Sequence, residues 1–259
     1  MLSVYIQNFK KFRPLLTELV ERDIKIKYRK SVLGVLWTLL NPLLMMCILA
    51  IVFSNLFKFD IENYPVYILS GQVIYNFYNE STSSAMSAII NNASLLKKVY
   101  IPKYMFVLSR ILSSIINMFA SHCALLIVMI VMGCEMHWTM ILFPIPAALL
   151  VIFCLGIGLI LATLTVKFRD IMHLYSVFTT GLMYLTPVIY AMSLLPSWLY
   201  TIVMINPITN YLMMYRDVML NGSCFSPLAF LLGLAEAAAA LILGLVLFAK
   251  KQDTFILDI

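Results

Sequence analysis

The charged residues set off long apolar runs: Ser31 to Phe57, Tyr64 to Ile90 interrupted by Glu80, Ile111 to Met132, Trp138 to Val166, Leu174 to Leu195, and Pro227 to Ala249 with Glu236 inside it. Each reaches the roughly 20 residues that a helix needs to cross about 30 Å of hydrocarbon. The pattern predicts an all-α, polytopic membrane protein with six transmembrane helices, near 32–57, 64–90, 105–132, 138–166, 174–195 and 227–249. An even number of crossings puts both termini in one compartment.

Two segments depart from a plain series of spans. Residues 1–31 precede the first span, and there Leu15, Leu16, Leu19, Val20, Ile24 and Tyr28 recur at three- and four-residue steps. Glu18, Glu21, Arg22, Lys25 and Arg29 take the other side. This spacing predicts an amphipathic helix lying along the interface, with cationic groups suited to anionic lipid. It serves either as a membrane anchor or as a gate or docking element; residues 32–259 form the six-span domain. The second segment, Pro196 to Gly222, holds two apolar pieces broken at Asn206-Pro207. Neither is long enough to cross, and Pro207 disfavours one continuous helix. The expected form is a re-entrant helix pair between the fifth and sixth spans, dipping in from the outer side where protein shelters its backbone. The alternative is an external loop packed on its neighbours.

Composition agrees with this picture. Of 259 residues, 63% are apolar or aromatic and 12% charged, with a mean hydropathy of +0.96, whereas a soluble domain is about half apolar and about a quarter charged. That length leaves room for several spans but no sizeable soluble domain. The formal charge of +6 would suggest nucleic acid in a soluble protein, but its distribution argues for orientation instead. Sixteen of the 18 Lys and Arg residues fall in the segment through Lys30, between Asn91 and Arg110, around Lys167 and in the tail; Lys58 and Arg216 lie on the other side. By the positive-inside rule both termini are cytoplasmic, and no nucleic-acid partner is expected. The first 31 residues do not read as a cleavable signal. The five cysteines form no CxxC and no His/Cys cluster, so no metal site is expected; a Cys134–Cys224 bridge between two outer connections stays open. Gly233, Gly244 and the alanines from Ala235 to Ala240 suit close helix packing.

Catalytic patterns are lacking. The sequence contains no GxxxxGK[ST], HExxH or GxSxG, so no loop of backbone amides is available to hold a nucleotide phosphate. His122, His137 and His173 are scattered and read as packed or interfacial residues. Of the intramembrane ionisable groups, Glu80 in the second span is either satisfied by the Asn, Ser and Tyr around it or lines a substrate path; Glu236 in the last span and Arg110 at the start of the third are the others. A proton-coupled carrier or a channel acting alone would show paired charges at mid-membrane or broken spans in two matching halves. Aromatic residues gather around the second span (Tyr64, Tyr67, Tyr75, Phe77, Tyr78) and around the fifth span and re-entrant segment (Tyr184, Tyr190, Trp198, Tyr200, Tyr211, Tyr215). They form either interfacial belts or a sugar-sized conduit, in which flat rings meet sugar C–H faces.

Several passages together resemble one family. These are Arg22 to Trp37 with Asn41-Pro42, then Leu95-Leu96-Lys97-Lys98-Val99-Tyr100-Ile101-Pro102, Lys167-Phe168-Arg169-Asp170-Ile171, Thr186-Pro187-Val188-Ile189-Tyr190, and Asn206-Pro207 followed by Tyr215-Arg216. In this order, over nearly the whole chain, they are similar to the membrane subunits of ABC-2 type exporters for O-antigen, capsule and teichoic acid polysaccharides. The resemblance implies a bacterial inner-membrane permease half that pairs with a copy of itself and with two separate ATPase subunits, where ATP and Mg bind; no cofactor is expected in this chain. It implies that Leu95, Leu96, Lys97, Lys98 and Tyr100 belong to a short coupling helix docking on the ATPase, with Phe168, Arg169 and Asp170 as a smaller contact. Arg22, Lys25 and Arg29 would flank the entrance, where they would meet the pyrophosphate of a lipid-linked glycan. The re-entrant pair would form the outer gate. Tyr75, Tyr78, Glu80, Tyr184, Tyr190, Trp198, Tyr211 and Tyr215 are the candidate conduit and gate residues.

Overall fold

The computed structural model describes residues 2–28, 31–57 and 63–255; Arg29, Lys30 and Lys58 of the sequence reading lie outside them. The described residues are mostly helical, without strands. The elements are α1 (Leu2–Tyr28), α2 (Trp37–Phe57), α3 (Tyr64–Met86), the short α4 (Ala88–Asn91) and α5 (Ala93–Leu96), α6 (Tyr104–Val131), α7 (Pro144–Lys167), α8 (Ile171–Tyr184), α9 (Ser197–Ile205), α10 (Pro207–Met219) and α11 (Pro227–Lys251). Among them, three helical segments are long and apolar enough to cross a membrane: Tyr104–Val131, Trp138–Lys167 and Pro227–Thr254.

The amphipathic stripe of α1 packs against α6: Leu16 and Leu19 are buried, while Glu18, Glu21 and Lys25 face out. Helix α3 occupies the centre and packs against α6, α7, α2 and α10. It stops at Met86 rather than running to Ile90, because the chain turns at Ser87 into α4.

The stretch Leu174–Leu195, expected as a fifth spanning helix, is not one helix. α8 ends at Tyr184 after 14 residues, about 21 Å at 1.5 Å per residue. Thr186-Pro187 explains the stop: proline lacks the N–H that continues the ladder and disfavours helical backbone in the residue before it. The chain turns there, and the Tyr190 hydroxyl donates back to the Tyr184 carbonyl at 2.9 Å.

The next two helices break where the sequence marks the break. Asn206 caps α10, its side-chain oxygen accepting from the Ile208 N–H at 3.1 Å, and Pro207 occupies the first turn, where its missing N–H costs nothing. Helix α10 is largely buried between α3, α7 and α11. Helix α9 lies outside it, with Trp198, Ile202 and Ile205 exposed.

Helices α7 and α11 make backbone contact. A Cβ built on Gly156 would lie 2.3 Å from the Ala240 carbonyl carbon, and one on Gly244 would lie 2.4 Å from the Gly156 carbonyl oxygen. Only glycine fits either position. All five cysteines are free, so no Cys134–Cys224 bridge forms.

Candidate functional site

A polar cavity of about 500 Å³ lies between α2, α3 and α6, bordered also by the end of α1 and by Met183 and Val188. Its wall carries Asn41, Gln72, Tyr75, Asn76, Asn79, Glu80, Asn117 and Ser121. On α3, positions 72, 76, 79 and 80 follow an i, i+4, i+7, i+8 pattern, so they share one helix face. At one end Lys27 of α1 pairs with Glu80 at 2.7 Å, and Asn117 Nδ2 donates to the same carboxylate oxygen at 2.6 Å. Glu80 is thus held by Lys27 and Asn117 rather than by the Asn, Ser and Tyr residues beside it in the sequence, and it borders the cavity. Its cationic partner comes from the amphipathic helix, not from another span.

The aromatic candidates separate into groups. Tyr75 borders the cavity, and its hydroxyl bonds the Thr179 carbonyl of α8. Tyr78, one turn on, faces the packed interior, stacked on Phe153 with ring centroids 6.4 Å apart. Tyr175 Oη lies 3.1 Å from the Tyr78 hydroxyl and 2.7 Å from Thr82 Oγ1. Tyr211 donates to the Gly233 carbonyl at 2.9 Å. The Tyr215 hydroxyl lies 2.7 Å from His122 Nδ1, and the His122 ring stacks on Phe143 at 3.9 Å. Tyr78, Tyr211 and Tyr215 are thus buried packing residues within this chain and take no part in the cavity wall. Tyr190 is half-buried, and Tyr184 and Trp198 are exposed.

Arg216, counted from the sequence among the outer-side charges, is buried. Its guanidinium donates to Ser70 Oγ (3.1 Å), the Pro187 carbonyl (2.7 Å), the Tyr67 carbonyl (3.0 Å) and the Val188 carbonyl (3.2 Å), and lies 3.6 Å from the Tyr67 ring centroid. It ties α10 to α3 and to the turn after α8.

The entrance candidates are engaged with protein. Arg22 donates to Asp23 at 3.2 Å and to Asn92 Oδ1 at 3.0 Å. Asp23, with 4% of its side chain exposed, also receives Arg110 of α6 at 3.2 Å. This cluster joins α1, α6 and the turn leading into α5. Lys25 pairs with Glu21 at 2.8 Å on the exposed face; each holds the other charged, the carboxyl below its usual range and the ammonium above.

The coupling candidates lie at the surface. Leu96 is buried and anchors the segment, while Lys97, Lys98 and Tyr100 are exposed, Tyr100 by 85%. The helix itself covers only Ala93–Leu96; Lys97 to Tyr100 follow as turns before Pro102. Phe168, Arg169 and Asp170 are likewise exposed in the connection from α7 to α8.

Residues 14–220 match the family described as ABC-2 type transporter. The chain belongs to that family. Among its relatives, the O-antigen export system permease protein RfbA of Myxococcus xanthus is 30% identical over 82% of this chain and 83% of its own length. The protein of the same name from Klebsiella pneumoniae is 28% identical over 81% of each chain. The polysialic acid transport protein KpsM of Escherichia coli is 19% identical over 91% of this chain and 92% of its own. The family match covers the cavity wall, the Arg22–Asp23–Arg110 cluster, the surface turn after α5 and Arg216 alike. What the sequence reading missed is the amide content of the wall. Its signal was present, because Gln72, Asn76 and Asn79 recur at helical spacing within an apolar run.

Proposed function

We propose that this chain is the transmembrane permease subunit of an ATP-driven exporter, moving a lipid-linked polysaccharide of the O-antigen type from the cytoplasmic side across the bacterial inner membrane. The observation that carries the reading is family membership, with relatives named for O-antigen export that align over about four fifths of both chains. The polar, amide-lined cavity in an otherwise apolar protein supports it, since a hydrated glycan needs such a wall and a lipid alone does not.

In this reading six segments cross the membrane with both termini cytoplasmic, α8 serving as a shortened fifth span. Helices α9 and α10 enter from the outer side as the gate. α2, α3 and α6 form one side of a passage that a second copy completes. ATP and Mg belong to two separate ATPase subunits, which dock on the turn from Leu95 to Tyr100 and on Phe168 to Asp170. The entrance lies beside α1. There Lys25, on the exposed face, meets the pyrophosphate, and Arg22 holds the helix in place through Asp23 and Asn92.

Co-expression with the partner ATPase tests the assembly. Scrambling Leu95 to Tyr100 should abolish co-purification while the chain keeps its level in the membrane; undiminished association overturns the coupling assignment. Deleting the chain in its host should remove one surface polysaccharide, with its lipid-linked precursor accumulating inside. A host that keeps every surface glycan after deletion refutes the export function.

A further inference from the structure

The wall of the cavity is specific in its chemistry. Five carboxamides border it: Asn41 of α2, Gln72, Asn76 and Asn79 of α3, and Asn117 of α6, with Thr38 and Ser121 beside them. The acidic and basic side chains in that wall are Lys27 and Glu80, and they are paired with each other at 2.7 Å. Among the described residues the wall therefore carries no net formal charge.

One of the amides points to a ligand. Gln72 is 4% exposed, and its Oε1 has no hydrogen-bond donor among the described residues. A buried carbonyl of this kind costs on the order of 1–3 kcal/mol until a hydrogen reaches it. A carboxylate or phosphate cannot supply one. It would add a second negative charge near Glu80 and would have to draw Lys27 away from its partner. A neutral hydroxyl donates and accepts, as do the amides that face it. Tyr75 and Trp37 add flat rings to the same wall.

We infer that this amide face is a subsite for uncharged, hydroxyl-rich sugar residues, and that the glycan passing along α3 has a neutral repeating unit. The inference rests on the export reading and narrows its substrate class. Among the relatives, it sets the cargo of this chain apart from the polyanion in the name of the polysialic acid transport protein.

The test is the composition of the glycan lost when the chain is deleted, followed by export through variants in the same host. The expected result is loss of a polysaccharide whose repeating unit lacks uronic acid, sialic acid and phosphodiester. Loss of an acidic polysaccharide overturns the neutral subsite but leaves the export reading standing, whereas loss of no glycan refutes both. Restoring the gene as Gln72→Leu, close in volume to the parent, should lower surface glycan about fivefold at equal membrane level and equal ATPase association, the scale of one lost hydrogen bond. Asn76→Ala, at an exposed position where folding is undisturbed, should lower it in the same direction. Normal export through Asn76→Ala, or through both variants, overturns the subsite.

Discussion

At position 216 a guanidinium is held by four oxygen acceptors, none of them a carboxylate. Its planar fork reaches acceptors on α3 and on the turn after α8 at once, which the compact ammonium of lysine does not do. Arg216→Lys should lower the denaturation midpoint of the detergent-purified protein. Arg216→Ala should lower its stability further, by roughly 3 kcal/mol, because the Pro187 and Val188 carbonyls and the Ser70 hydroxyl lose the guanidinium inside the protein, while the Tyr67 carbonyl keeps only the Ser70 hydroxyl as a side-chain donor. An alanine variant that melts with the parent would show that other contacts hold the hairpin. Little of this was legible in the sequence. Main-chain carbonyls leave no trace in a list of residues, so a buried Arg met by carbonyls reads like any loop charge. Glu80 was half legible: its setting among Asn and Ser was visible, but its partners Lys27 and Asn117 stand 53 and 37 residues away. Asn206 was fully legible, since cap and proline are adjacent and the physics is local.

Helix-scale contacts follow the same division between local and distant information. The small-residue patch around Gly233 and Gly244 announces close approach, but Gly156, which meets Gly244 and Ala240, is identified only by the fold. Gly156→Ala should push α7 and α11 apart and sharply reduce the yield of folded protein. Gly181→Ala, in α8 with open space around the new methyl, should be neutral or raise stability by up to about 1 kcal/mol through helix propensity. Equal behaviour of the two variants in size-exclusion profiles and melting would contradict the backbone contact. The amphipathic stripe of α1 was readable from its period, whereas its attachment to α6 was not. Asp23→Asn leaves Arg110 and Arg22 without their common carboxylate, and a double-mutant cycle with Arg110→Gln should return a coupling of about 1–3 kcal/mol. A cycle that sums to zero would mean that the leucine stripe alone holds the helix. The early end of α8 was signalled by Thr186-Pro187, yet the continuous apolar run through Leu195 outweighed it, because hydropathy averages over a break that two residues impose.

For the molecule as a whole, the lack of any phosphate-holding loop predicts that the purified chain releases no inorganic phosphate from ATP, and that turnover appears only when the ATPase subunit is added. Turnover by the chain alone, retained through size-exclusion chromatography, would contradict the division of labour. Arg216 bears on the timing of transport. Its partners lie on α3, which carries the amide wall, and on the turn after α8, while its own backbone belongs to the hairpin proposed as the outer gate. The hairpin cannot swing away while that guanidinium stays bonded unless α3 travels with it. Where α3 travels with it, opening of the proposed gate and loosening of the proposed hold on a sugar become one event, and the proposed cycle then has no stage at which the exit stands open while the wall still holds its cargo.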